Sequence, residues 1–216
     1  MLTPYQNLAV DLLILSFDRQ PHTVKIFTPK RNDDHKKALP GVLLTKGESI
    51  DQAVARTLRT KTNLSDFAYR LQELPAQTRP DRDPRGHVVS IPIIVFLTEP
   101  VGYSDGWSPL EKNLDLAFDH TEMVDKAIAV LTNNLQNHPL PLLLAGDTIT
   151  LEEARDLLAQ FSSAYQTVLP SNLRQLPLVK TFLQQTDTFA ENNKGKQGRR
   201  PRLYAIATDR IAPLYQ

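Results

Sequence analysis

The sequence predicts an α/β protein in two parts, a larger one of strands and helices and a smaller one of helices closed by a basic β-hairpin. Three features carry that prediction. Two long runs of β-forming residues, Leu8 to Phe17 and His87 to Thr98, suit strands, the second a buried one. Stretches between and after them place apolar residues three and four apart, as one face of a helix requires. The string His138-Pro139-Leu140-Pro141 then breaks the chain where its pattern and charge change, which assigns residues 1–138 to the first part and 139–216 to the second.

A chain of 216 residues has room for a medium domain and a small one. Its 41% hydrophobic and 23% charged residues are ordinary globular values, which exclude wholesale disorder. The 25 basic and 24 acidic residues nearly cancel, so only the distribution of charge can point to a partner. The absence of cysteine excludes disulfides, thiolate metal sites and a cysteine nucleophile. The start, MLTPYQNLAVDLLIL, has no basic segment before its apolar run, and Asp11 interrupts that run, so no signal peptide is expected. No window approaches the roughly 20 apolar residues that span a bilayer. A cytoplasmic protein with no membrane partner is the expectation.

Leu8 to Phe17 and Val24 to Thr28 flank the polar string Asp18 to His22 and predict a hairpin. Pro29 to Lys37 is charged and loop-like. Leu39 to Gly47 forms a further loop, after which Ser49 caps a helix with Ile50, Val54 and Leu58 on its inner side. Phe67 to Thr78 and His87 to Thr98 are the next extended stretches, and Pro92 implies an edge, a bulge or a strand start. Between them Arg79, Arg82, Asp83 and Arg85 occupy a turn whose arginines suit an anion, because the guanidinium fork holds two phosphate oxygens at once. Asp119 or Thr121 starts a helix reaching about Gln136, with Met123, Ala127, Ile128, Val130, Leu131 and Leu135 on its apolar side.

In the second part Thr150 and Glu153 have the spacing of a capping box, and Leu151, Ala154, Leu157, Leu158, Phe161 and Tyr165 form the amphipathic helix that follows. Pro170-Ser171-Asn172 starts another helix, which Pro177 is expected to kink. A hairpin from Phe189 onward holds the polar loop Glu191 to Gly198 and the strand Leu203 to Ala207. Helix, turn, helix and hairpin are the outline of a winged helix. Residues 170–210 hold eight basic side chains against three acidic ones, the asymmetry expected where phosphates are bound. Asn172 and Arg174 are placed for base edges, Lys194, Lys196 and Arg199 for phosphates or a groove, and Lys180, Arg200 and Arg202 complete the expected DNA-binding set.

Leu39 to Leu64 resembles the Nudix box, with Leu39, Pro40, Gly41, Gly47, Glu48, Arg56, Leu58 and Leu64 in its frame. Thr57, Thr60 and Lys61 stand where that family has three helix glutamates, and Val42 and Asn63 where it has glycines. Magnesium needs hard oxygen ligands, which two threonines and a lysine do not supply. The strings RDPRGHVVS (Arg82 to Ser90) and AFDH (Ala117 to His120), Thr150-Leu151-Glu152, Asn172-Leu173-Arg174 and Gly198 to Tyr204 are similar to segments of the Nudix-related transcriptional regulators of NAD or sugar metabolism. That resemblance covers roughly residues 5 to 207.

The resemblance implies a Nudix-type α/β/α sandwich with a mixed sheet, joined to a winged helix. It further implies a repressor that binds operator DNA as a homodimer and senses ADP-ribose or a similar metabolite, with no catalytic residues, metal or cofactor. Arg56, Lys61, Arg79, Arg82, Asp83 and Arg85 are the expected effector-binding residues. The rival expectation is a Nudix hydrolase of ADP-ribose or another nucleoside diphosphate derivative, and a weaker third is a non-catalytic scaffold that binds protein or RNA.

Overall fold

The computed structural model describes residues 7–84, 86–190 and 200–211. Its first part is organised by β1 (Asn7–Asp18), a twelve-residue strand long enough to serve three partners. Along one edge it runs parallel to β5 (Val88–Leu97). Along the other its first half pairs with β3 (Gly41–Leu43) and its last four residues with β2 (Thr23–Phe27), both antiparallel. With β4 (Tyr69–Glu73) beside β5 and β6 (Trp107–Pro109) beside β2, the result is a six-stranded mixed sheet, in the order β4-β5-β1-β2-β6 with β3 also on β1.

Alternation along β1 sends successive side chains to opposite faces. Val10, Leu12 and Ile14 pack with Ala53, Val54 and Leu58 of helix α1 (Ile50–Lys61). Leu13, Leu15 and Phe17 pack with Met123, Ala127 and Leu131 of α2 (His120–Asn133) on the other side. The expected α/β/α sandwich with a mixed sheet is therefore the fold observed. Ser49 caps α1 in a full capping box with Gln52.

Pro92 lies in an interior strand, not an edge. Its carbonyl accepts from Leu74, and just beyond it the pairing on that flank slips by one residue, from Glu73 opposite Ile93 to Gln77 opposite Ser90, an irregularity of the bulge kind at which a residue without an N–H is tolerated.

The second part begins with a buried 3-10 turn, Leu140–Ala145, and continues through β7 (Thr148–Thr150), α3 (Leu151–Ala159), the short helices α4 (Pro170–Leu173) and α5 (Pro177–Phe182), β8 (Leu183–Phe189) and β9 (Arg202–Ile206). The Thr150–Glu153 capping box is present at α3. Three strands form a second antiparallel sheet in the order β7-β9-β8.

Two expectations are corrected here. Pro177 breaks the predicted helix into two instead of kinking it, because a proline nitrogen cannot donate to the preceding turn; it becomes the first residue of α5, where no donor is needed. The strand placed at Phe189 starts six residues earlier, at Leu183, and β7 was missed for its brevity.

One hydrophobic cluster joins the two parts, running from Leu13 and Phe96 of the large sheet through Leu142, Leu143 and Leu144 to Leu157 and Leu158 of α3. The turn between β1 and β2 grips α3 from the other side. Arg19 Nη1 meets Glu153 at 2.8 Å, and its Nη2 donates to the carbonyls of Ala145 at 2.6 Å and Thr148 at 3.1 Å. His22 Nδ1 lies 2.5 Å from Asp156 Oδ2. Gln160 accepts from the Val24 amide at 2.6 Å and donates to the His22 carbonyl at 3.0 Å. Gly146, at φ 69°, lets the connection pass so close to Thr98 that a Cβ there would sit 2.6 Å from its carbonyl oxygen.

Candidate functional site

The stretch from Leu39 to Leu64 keeps the shape of a catalytic loop and helix. Gly41 is forced by space: a Cβ would lie 2.1 Å from Asp11 Oδ1 and 2.9 Å from the Val10 carbonyl oxygen. Glu48 closes the loop on the helix, receiving Arg56 Nε at 2.6 Å and Nη2 at 2.7 Å, with the Thr45 amide at 2.9 Å. The Arg56 hydrogen bonds, chiefly, hold the Glu48 carboxyl down at about 2. Arg56 also donates to the Leu43 carbonyl at 2.9 Å, so this expected effector residue spends its fork on the loop's own structure.

The three altered positions do not form a metal face. Thr57 is fully buried and donates to the Ala53 carbonyl at 2.7 Å. Thr60 donates to the Arg56 carbonyl at 2.8 Å, and Lys61 is exposed in the last turn. None supplies the carboxylate oxygens that magnesium requires, and no group of three His, Cys, Asp or Glu able to hold a metal occurs among the described residues. The helix does not fit the ion.

The arginine turn differs from the expectation. Arg82, expected to face a ligand, has 3% of its side chain exposed and is committed to carboxylates. It forms a two-point pair with Asp119, Nε to Oδ2 at 2.9 Å and Nη2 to Oδ1 at 2.8 Å, and reaches Asp11 at 3.4 Å. Ser90 donates to Asp11 at 2.6 Å. His120 Nδ1 accepts the Leu39 amide at 2.9 Å, and its Nε2 lies 3.8 Å from Asp11 Oδ1. An accepting Nδ1 places the proton of the neutral ring on Nε2, toward the carboxylate. Burial pushes the pKa of His120 down against the pull of Asp11 and Asp119.

This buried knot ties the start of α2 and strands β1 and β5 to the entry of the Nudix-like loop. Of the other expected effector residues, Asp83 is buried, Arg79 is exposed with Glu122 3.2 Å away, and Arg85 lies outside the described residues. Sequence reasoning missed Asp11, Asp119 and Ser90 as partners. The available signal was the lone acid in an apolar strand, since a buried carboxylate demands compensation.

In the second part Asn172, Arg174, Lys180 and Arg200 are exposed. Arg202 instead braces the hairpin, donating to the Thr186 carbonyl at 3.0 Å, reaching Asp187 at 3.4 Å and lying over the Phe189 ring at 5.0 Å. Lys194, Lys196 and Arg199 lie outside the described residues. No described helix is long and apolar enough to cross a membrane.

Two basic cavities accompany these features. One, of about 440 Å³, runs along α1 beside Lys46, Arg56 and Arg59. The other, of about 410 Å³, lies between the 29–38 loop and residues 114–116, on ground the sequence marked only as a charged loop.

No family model matches the chain. It is 28% identical over 220 aligned positions, 94% of this chain and 83% of the relative, to the ADPR responsive transcriptional repressor NtrR of Acinetobacter baylyi. It is 37% identical over 112 positions, 46% of this chain and 63% of the relative, to the ADP-ribose pyrophosphatase of Methanocaldococcus jannaschii. Its fold matches that of Shewanella oneidensis NrtR, solved with a 27mer DNA, at a TM-score of 0.74 and 21% identity, covering 94% of this chain and 95% of that one. Over nearly its whole length the chain is thus similar in sequence to an ADPR responsive transcriptional repressor and in fold to NrtR.

Proposed function

We propose that this protein is a ligand-responsive, DNA-binding transcriptional repressor of the cytoplasm, whose Nudix-like part senses ADP-ribose or a related nucleotide or sugar metabolite without hydrolysing it. The observation that carries this reading is α1, which keeps the frame of a Nudix helix while its three glutamate positions hold a buried threonine, a second threonine and a lysine. Similarity to an ADPR responsive repressor along 94% of the chain supports it. Residues 1–138 are assigned to sensing and residues 139–216 to DNA. A homodimer would match a palindromic operator. Lys61, Arg79 and Arg85 are assigned in this reading to the effector's charge, with Arg56 and Arg82 in structural roles. Asn172 and Arg174 would meet base edges, and Lys180, Lys194, Lys196, Arg199 and Arg200 phosphates.

Fluorescence anisotropy with a labelled duplex tests the DNA assignment. Affinity should fall steeply with salt, as release of counterions from phosphates demands, and should drop when Arg199 and Arg200 are both replaced by alanine. Unchanged affinity in the double variant contradicts the assignment. The second reading, a hydrolase of ADP-ribose, is favoured by the 37% identity to a pyrophosphatase. Robust magnesium-dependent turnover of ADP-ribose would establish it in place of the first.

A further inference from the structure

The cavity between the 29–38 loop and residues 114–116 lies on the face of the sheet opposite α1. Leu116, one of its walls, belongs to the cluster packed around α2, while α1 packs with the other cluster. Lys30, Lys36, Lys37 and His35 line it together with Asp34, whose carboxylate is engaged by Arg31, and Asp115 stands across from them. At its base Thr28 is fully buried, and its hydroxyl has no hydrogen-bond partner among the described residues. Buried hydroxyls are nearly always satisfied, and an orphan beneath three lysines marks a place for an incoming acceptor.

The walls are built in advance. Within the loop the Arg31 amide donates to the Lys36 carbonyl at 2.9 Å and the Ala38 amide to Pro29 at 3.1 Å. The Arg31 guanidinium pairs with Asp33 and Asp34 and lies over the Phe118 ring at 4.4 Å. The Ala117 amide donates to the Lys37 carbonyl at 2.8 Å and joins the two walls.

We propose that this cavity binds a phosphorylated small molecule of sugar-phosphate size. The lysines would hold the phosphate, the Thr28 hydroxyl would donate to an oxygen at the base, and Asp115 would accept from a sugar hydroxyl. The volume of about 410 Å³ is within the range of small-ligand pockets. A concave floor with an uncharged donor favours a small molecule over the phosphates of duplex DNA, which would touch the lysine tips alone. The inference stands on this cavity; only its regulatory meaning rests on the proposed function.

Isothermal titration of the full-length chain with ribose 5-phosphate, ADP-ribose and inorganic pyrophosphate tests it. At least one phosphosugar should bind. K36E/K37E should lower that affinity at least about tenfold, some 1.4 kcal/mol, whereas K46E/R59E in the cavity along α1 should leave it within about twofold. T28V should weaken binding several-fold with an unchanged or higher Tm, which separates ligand contact from a folding defect. Failure of all three probes to bind overturns the proposal. So does binding that K36E/K37E leaves unaffected, whether or not K46E/R59E abolishes it. DNA affinity of the same variants without ligand reports separately on the repressor reading; if K36E/K37E weakens only DNA binding, these lysines face the duplex and the small-molecule site is wrong.

Discussion

At the scale of single residues, the burial of charge decides which side chains can act on a ligand. Arg82 is compensated by Asp119 and Asp11, and removing one member of a buried pair leaves the other uncompensated, at a cost of about 3–5 kcal/mol. Arg82→Ala should therefore lose about that much stability in urea unfolding, and a loss under 1 kcal/mol would show the pair to be solvated. His120 supplies a second prediction. Its folded pKa lies below the unfolded value of about 6.5. The unfolded chain thus binds more protons in that window, and stability is complete above about pH 6.5 and declines as pH falls below it. The drop in Tm between about pH 7.5 and 5.5 should shrink in His120→Gln.

Much of this was hidden in the sequence for one reason. Arg82, in a polar turn, reads as part of a ligand site when its partners, Asp11 and Asp119, lie 71 and 37 positions away. Motif spacing shows that such a turn matters and not which way it faces. The altered helix was legible, because positions 57, 60 and 61 lie within one helix, though the full burial of Thr57 was not.

At the scale of elements, the Ser49 cap, the Thr150–Glu153 capping box and the apolar stripe of α1 were readable because they are local. The helix broken at Pro177 and the strand starting at Leu183 depend on what the segment packs against, and were not. The β1–β2 turn was read only as a polar connection, yet it holds α3 through Arg19, His22 and the backbone around them. Arg19→Ala strips a carboxylate and two carbonyls of their donor, a loss of about 1–3 kcal/mol for groups left unpaired. Differential scanning calorimetry should show a lower, broader transition in this variant; an unchanged endotherm would mean that the grip contributes nothing. Gly146→Ala should strain the same junction, since φ there is 69° and Thr98 blocks the new methyl group.

At the scale of the whole molecule, a single apolar cluster spans both assigned parts, so a change in the first has a packed route to the second. A ligand moves such an equilibrium only by its differential affinity for the two states, and binding of effector and DNA must be reciprocal. Fold class was legible because periodicity is summed over many residues. The shared core was not, since Leu140 to Ala145 reads equally well as a linker. The most direct test of the central claim is a titration of ADP-ribose, with magnesium present, into the full-length chain bound to a duplex it has enriched from a random-sequence pool. The account predicts that DNA is released and that the ADP-ribose is recovered intact; steady hydrolysis of ADP-ribose with the DNA still bound would contradict it.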